Sequence, residues 1–184
     1  MTDVCLHGSD ITLREHGPDD LQALHRWHGD RELMRYLSWG GNSLEESLLY
    51  LADCIRDRRQ PRRDRYRLAI VSNRDRQVMG CASIHWKGRG QWGGDGRLGC
   101  FLARDFHGRG YAREATRLLV EFGIGELGMH RISATSLAGN AASERVLKSL
   151  GFVHEGTMRS HSHRAGQWLD RHFYSILREE WRKG

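Results

Sequence analysis

The run His107-Gly108-Arg109-Gly110-Tyr111-Ala112 gathers residue types that handle anions. Two glycines one residue apart let the backbone bend and approach a ligand, and a helix that begins there leaves unpaired amides at its positive end. A pyrophosphate is the kind of group such a place holds. Spacing excludes two familiar phosphate loops: the dinucleotide fingerprint needs a small residue where Arg113 stands, and Gly-Lys-Ser/Thr occurs nowhere. A nicotinamide or ATP enzyme is therefore disfavoured. Taken alone, the same glycines would also serve a plain strand-to-helix turn, so the local pattern leaves both readings open.

Other reactive residue types are less organised. His161 and His163 share a strand face but have no third ligand at suitable spacing, which argues against zinc. Cysteines 5, 54, 81 and 100 are isolated, matching neither a CxxC site nor a disulfide framework, and read as reduced packing residues. The net charge is +6, and residues 56–67 (RDRRQPRRDRYR) hold seven arginines and two aspartates, +5 of that total. Such a run is a solvated face or a nucleic-acid or ribosome contact; Asp57 and Asp64 dilute it, and Tyr66 is its only aromatic residue.

The elements that must position these residues alternate in type. A strand is expected over 11–15, then a helix opened by Pro18-Asp19-Asp20 and carrying Leu21, Leu24 and Trp27. A short helix should carry Leu33, Met34 and Leu37, and a longer one should start at a Ser43/Glu46 capping box. Strands over 66–72 and 78–86 form a hairpin, and 88–96 is a glycine-rich loop. A strand over 97–104, a helix over 108–128 and a strand over 131–137 make a βαβ unit, so those two strands should be parallel. Asn140 should cap a helix ended by Gly151, and strands over 152–160 and 169–177 should close the chain as a hairpin around Gly166.

With 184 residues, 39% of them hydrophobic, and only 2 prolines, the chain has material for one core and no Pro-rich linker, so a single domain over 1–184 is expected. No run approaches the ~20 apolar residues of a membrane span, and the start of the chain lacks a basic region followed by an apolar run. The sequence reads as soluble and cytoplasmic, with no membrane partner.

The strand RLGCFLAR with HGRGYAREA, followed by the stretch from Asn140 to Phe152, resembles the GCN5-related N-acetyltransferase superfamily. More narrowly, GRGYAREA, GNAASERVLKSLGFVHEG and QWLDRHFYSILREEW resemble the branch of ribosomal-protein N-terminal acetyltransferases. The resemblance covers nearly the whole chain. It implies an α/β fold with a mixed, mostly antiparallel seven-stranded sheet, splayed parallel central strands and about four helices. His107 stands where the family has Arg or Gln, Leu147 stands where many members have a catalytic tyrosine, and the strand before the glycines lacks the frequent glutamate.

By this resemblance the co-substrate is acetyl-CoA, with no metal, and acetyl transfer to a primary amine is direct. Its pantetheine arm would run along Cys100, Phe101 and Leu102. The pyrophosphate would take the loop His107, Gly108, Arg109, Gly110, Tyr111, Ala112 and Arg113, and Asn140 would serve the cofactor arm. Ser143 is the candidate donor to the departing sulfur. For the base, His85, Asp95 and His163 border the acceptor side, without a choice among them. Tyr36, Trp39, Trp86, Trp92, Trp168 and Asp170 are candidate acceptor walls, with Asp170 the best placed to meet a cation; Trp27 and Trp181 read as packing. The expected acceptor is the α-amine of a protein or peptide, with a small-molecule amine (antibiotic or metabolite) as the alternative. A nucleic-acid or ribosome-binding protein without catalysis is the reading from another class, and a homodimer stays open.

Overall fold

The computed structural model describes residues 3–30, 43–87, 93–164 and 166–181. The helix expected around Leu33 to Leu37 lies outside them, as do Tyr36, Trp39 and Trp92. The chain runs β1 (Cys5–His7), β2 (Ile11–Glu15), α1 (Leu21–His28), α2 (Leu44–Arg58), β3 (Arg65–Ser72), β4 (Val78–Lys87) and β5 (Asp95–Leu102). It continues through α3 (Tyr111–Glu121), β6 (Arg131–Leu137), α4 (Ala141–Ser149), β7 (Val153–Arg164), β8 (Gln167–Leu177) and a last turn, α5 (Arg178–Trp181).

The described strands form one eight-stranded sheet in the order β1-β2-β3-β4-β5-β6-β8-β7, antiparallel except for β5 with β6. The expected count of seven is corrected by β1, whose three residues are too few to show alternation. The glycine-rich loop also ends earlier than its composition suggests, because Asp95 and Gly96 already pair with Lys87 and Trp86. The helix expected over 108–128 is really α3 followed by a π-turn, Phe122–Glu126. Gly123 lets that turn lie against the sheet: a Cβ there would come within 2.8 Å of both Ile84 and Ile132.

The two sheet faces are covered separately. On one, Leu24 and Trp27 of α1 and Leu51 of α2 pack together, with Trp27 edge-on to Phe101 at a centroid distance of 5.8 Å. On the other, Ala115, Leu118 and Leu119 of α3 bury against Leu13, Leu68, Ile70 and Leu102. Ser43 caps α2 as its sequence predicts: its hydroxyl accepts from the Glu46 amide and its own amide donates to the Glu46 carboxylate at 2.6 Å.

The arginine-rich run is partly spent in ion pairs, only two of which lie inside the fold. Arg63 is buried, pairs with Glu15 and lies over the Tyr66 ring, Arg67 pairs with Asp57 at 2.6 Å, Arg56 with Asp53 at 2.6 Å, and Arg58 with Asp3. The Arg63–Glu15 and Arg67–Asp57 pairs hold the end of α2 and its exit loop against β2 and β3. Arg56, Arg59, Arg62 and Arg65 are the exposed arginines of the run, Arg56 in its pair with Asp53, a thinner free cation face than the sequence suggests.

Candidate active site

β5 and β6 pair over only three residues each, Asp95 to Arg97 with Arg131 to Ser133. Beyond Arg97, β5 stays with β4 as far as Leu102, while β6 stays with β8 as far as Leu137. The parallel strands therefore diverge and open a wedge in the middle of the sheet. Backbone alternation decides what faces it. Ala103 donates its N–H to Met79 of β4 at 2.8 Å, and Gly96 O accepts from Ser133 on the β6 side. Counting by twos, the polar backbone groups of Cys100 and Leu102 turn to the wedge and those of Phe101 turn to β4. Of the three residues expected along a pantetheine arm, two thus present edge groups there, while Phe101 contributes its ring to the opposite side.

At the end of β5 the chain makes a short 3-10 turn, Arg104–Phe106, and enters the glycine loop. His107 donates through Nε2 to the Leu102 carbonyl at 2.8 Å, so this side chain fastens the loop to the strand end. Gly108 and Gly110 have φ of 74° and 85°, a left-handed backbone that disfavours other residues, with open space around each. No side chain caps α3, so its first amides remain available to an anion. Arg109 and Arg113 are exposed beside them, and Tyr111 and Ala112 pack against the core. A splayed strand pair, a doubly left-handed glycine loop and an uncapped eleven-residue helix fit a long ligand with a pyrophosphate in its middle.

On the far side of the wedge, Asn140 accepts the Ser143 N–H through Oδ1 at 3.2 Å and so caps α4. Ser143 is half-buried in the first turn, and Leu147 belongs to the core. Tyr174 of β8, fully buried, anchors the helix by donating to Glu144 at 3.0 Å; burial, with that carboxylate beside it, pushes its pKa up to about 12. Arg171, also buried, donates to Thr135 at 2.9 Å and Ser162 at 3.1 Å, tying β6 to β7 across β8.

A cavity of about 480 Å³ opens against the part of β5 that has left β6, lined by Glu46, Tyr50 and Asp53 of α2 and by Ser83, Gly99 and Phe101. Two carboxylates stand at its rim, Glu46 holding the Ser43 amide and Asp53 paired with Arg56. Burial raises the Tyr50 hydroxyl well above its usual value. None of the expected bases lines this space. His85 faces Asp64 at 3.5 Å, Asp95 is paired with Arg131 at 3.0 Å, and the His163 ring packs on Trp168. Asp170 accepts the Ser160 N–H at 2.8 Å and pins a bulge in β7, so its carboxylate is engaged within the hairpin. Trp168 is exposed at the hairpin tip, Trp86 donates to the Gly93 carbonyl, and Trp27 is a core residue as expected. The sequence points to Glu46 only as a helix-capping residue and to Tyr50 and Asp53 not at all, because a helix position carries no sign of the cavity that tertiary packing makes beside it.

The family model for the acetyltransferase (GNAT) domain matches residues 10–153. The chain belongs to this family and is an acyltransferase of the N-acetyltransferase class. It is 27% identical over 171 residues to the N-acetyltransferase YnaD of Bacillus subtilis strain 168, covering 93% of this chain and 95% of that protein. Its fold is similar to the ribosomal-protein α-N-acetyltransferase RimL bound to coenzyme A, with a TM-score of 0.84 at 19% identity over 95% of this chain and 98% of that one. It is similar too to spermidine N-acetyltransferase from Vibrio cholerae in complex with CoA and spermine, with a TM-score of 0.82 at 19% identity over 95% and 99% of the two chains. The family uses acetyl-CoA, and the wedge and glycine loop have the shape and free amides that such a molecule requires.

Proposed function

We propose that the protein acetylates the N-terminal α-amine of a protein or peptide, with acetyl-CoA across the wedge and the acceptor in the cavity lined by α2. Acetyl-CoA supplies the activated acetyl group. The amides at the start of α3, with Arg109 and Arg113, hold its pyrophosphate, and Cys100 and Leu102 offer edge groups to its arm. Ser143 stands in the first turn of α4 as the proton donor to the departing thiolate, and Asn140 fixes that turn. These two roles rest on the motif they match and on the helix they begin.

The observation that carries the α-amine reading is the lining of the cavity. Of the cavity-lining groups, Tyr50 is held protonated at neutral pH, Arg67 is a permanent cation, and Glu46 and Asp53 are carboxylates at the rim, Asp53 paired with Arg56. An α-amine, with a pKa of about 7.7 to 8, is already about a tenth neutral at pH 7, whereas a lysine near 10.4 is neutral in roughly four molecules per ten thousand. A lining whose proton acceptors are rim carboxylates, one of them ion-paired, rather than an imidazole or an amine favours the former. The second reading is a small di- or polyamine, favoured by Glu46 and Asp53 at the rim and by the likeness to the spermidine enzyme.

Thiol release from acetyl-CoA over two acceptor panels separates them. One panel holds peptides with free Ser, Ala or Asp N-termini, and the other holds polyamines and aminoglycosides. Turnover on free but not blocked peptides is the expected result; turnover on small amines alone transfers the assignment to the second reading.

A further inference from the structure

Cys81 enters the same cavity from β4, and its sulfur has company. The fully enclosed His16 ring places Nε2 3.6 Å from Cys81 Sγ and Nδ1 3.3 Å from Oδ2 of Asp20. Asp20 is itself fixed by two donations from Arg14 at 2.8 Å each and one from the Gly17 N–H at 2.9 Å. The Nδ1 contact is a charge pair without hydrogen-bond alignment, so this buried nitrogen has no hydrogen-bond partner among the described residues. A thiol, an imidazole and a carboxylate in line, with Cys81 buried in the wall of the cavity, form the arrangement that makes cysteine nucleophilic. Burial disfavours a charged His16, yet its contacts with Asp20 and Cys81 outweigh burial and push its pKa up to about 9. Cys54 of α2 and Cys100 of β5 lack such support, and burial pushes each up to about 12.

We propose that Cys81 is a nucleophilic thiol, activated by His16 and Asp20, that adds soft carbon electrophiles such as α,β-unsaturated carbonyls within the acceptor cavity. The sulfur bonds to the β-carbon, the π pair of the double bond moves to the α-carbon, and the thiol proton, carried by His16 Nε2, ends there. Nothing leaves, and no oxidant takes part. The cavity of about 480 Å³ has room for a small enone, since a water occupies about 30 Å³. His16 and Asp20 are positioning residues. The other groups around the sulfur are Tyr50, whose hydroxyl lies 3.4 Å away, Cys54 on α2, Arg67 with its partner Asp57, and Cys100 on β5. That adduct formation stops acetyl transfer rests on the acceptor-site reading above; the reactivity of the thiol does not.

The full chain is treated with N-ethylmaleimide and the labelled thiols are mapped by peptide mass. Cys81 should be labelled at least about tenfold faster than Cys54 or Cys100. His16→Asn should slow Cys81 about tenfold and make its rate climb steeply with pH. Asp20→Asn should slow it as well and serves where His16→Asn does not fold. A Cys81 no faster than Cys54, or a Cys81 unaffected in the folded variants, overturns the proposal. Labelling in step with loss of acetyl transfer supports both assignments. Labelling of Cys81 with transfer intact upholds the thiol and overturns the cavity as acceptor site.

Discussion

At the scale of single residues, Ser143 and the two glycines of the anion loop carry the proposed acetyl transfer. Ser143→Ala should lower turnover at least about tenfold, about 1.4 kcal/mol of barrier, with acetyl-CoA affinity nearly unchanged. Steady-state kinetics beside a binding titration check it, and unchanged turnover removes Ser143 from the mechanism. Gly110 has φ of 85° with open space around it, so Gly110→Ala is a backbone rather than a steric challenge. It should cost about 1–2 kcal/mol, read as a weaker acetyl-CoA Kd or a lower Tm. His107 shows how a residue can be placed correctly and used differently: it sits in the loop as the motif requires, but its ring holds the Leu102 carbonyl.

The elements were legible where local physics decides them. The Ser43/Glu46 box, the Asn140 cap and the hairpin of β3 with β4 each follow from neighbours in sequence, and each is present. What escaped reading depends on partners far along the chain. The wedge exists because β5 leaves β6 after three paired residues, and no feature of RLGCFLAR announces that parting; only the motif resemblance did. Likewise Cys81 and His16 stand 65 residues apart and meet through β3, so the cysteine reads as a packing residue until the sheet is assembled. Two element-scale outcomes follow. Asn140→Ala should cost about 1 kcal/mol, lowering Tm by about 2–4 °C, while Asn140→Ser retains most of it. Glu114, which accepts from the Ser9 amide and hydroxyl and from the Asp10 amide, binds α3 to the β1–β2 turn. Glu114→Ala should raise amide exchange in that turn while leaving β4 protected.

For the whole molecule, the buried Asp20–His16 pair sets a pH window. Burial would raise the Asp20 pKa, but hydrogen bonds from Arg14 and the Gly17 amide, with the His16 charge pair beside them, hold it well below the usual carboxylate range. Its stabilisation is therefore complete above its unfolded value near 3.9 and is lost as pH falls through the lower native value. His16 has the opposite sign: its contribution is complete below about 6.5 and disappears as pH rises through about 9. Tm should form a plateau between about pH 4 and about 6.5 and decline toward pH 9, and the alkaline decline should flatten in His16→Asn. An alkaline decline of equal size in that variant contradicts the pairing. The claim joining sheet, loop and cavity is that acetyl transfer goes to an α-amine. The most direct measurement gives the enzyme acetyl-CoA and one peptide bearing both a free serine N-terminus and an internal lysine, and locates the acetyl group by fragment mass. Acetylation at the N-terminus with the lysine untouched is the predicted result; acetyl on the lysine, or on neither amine while a polyamine is acetylated, contradicts it.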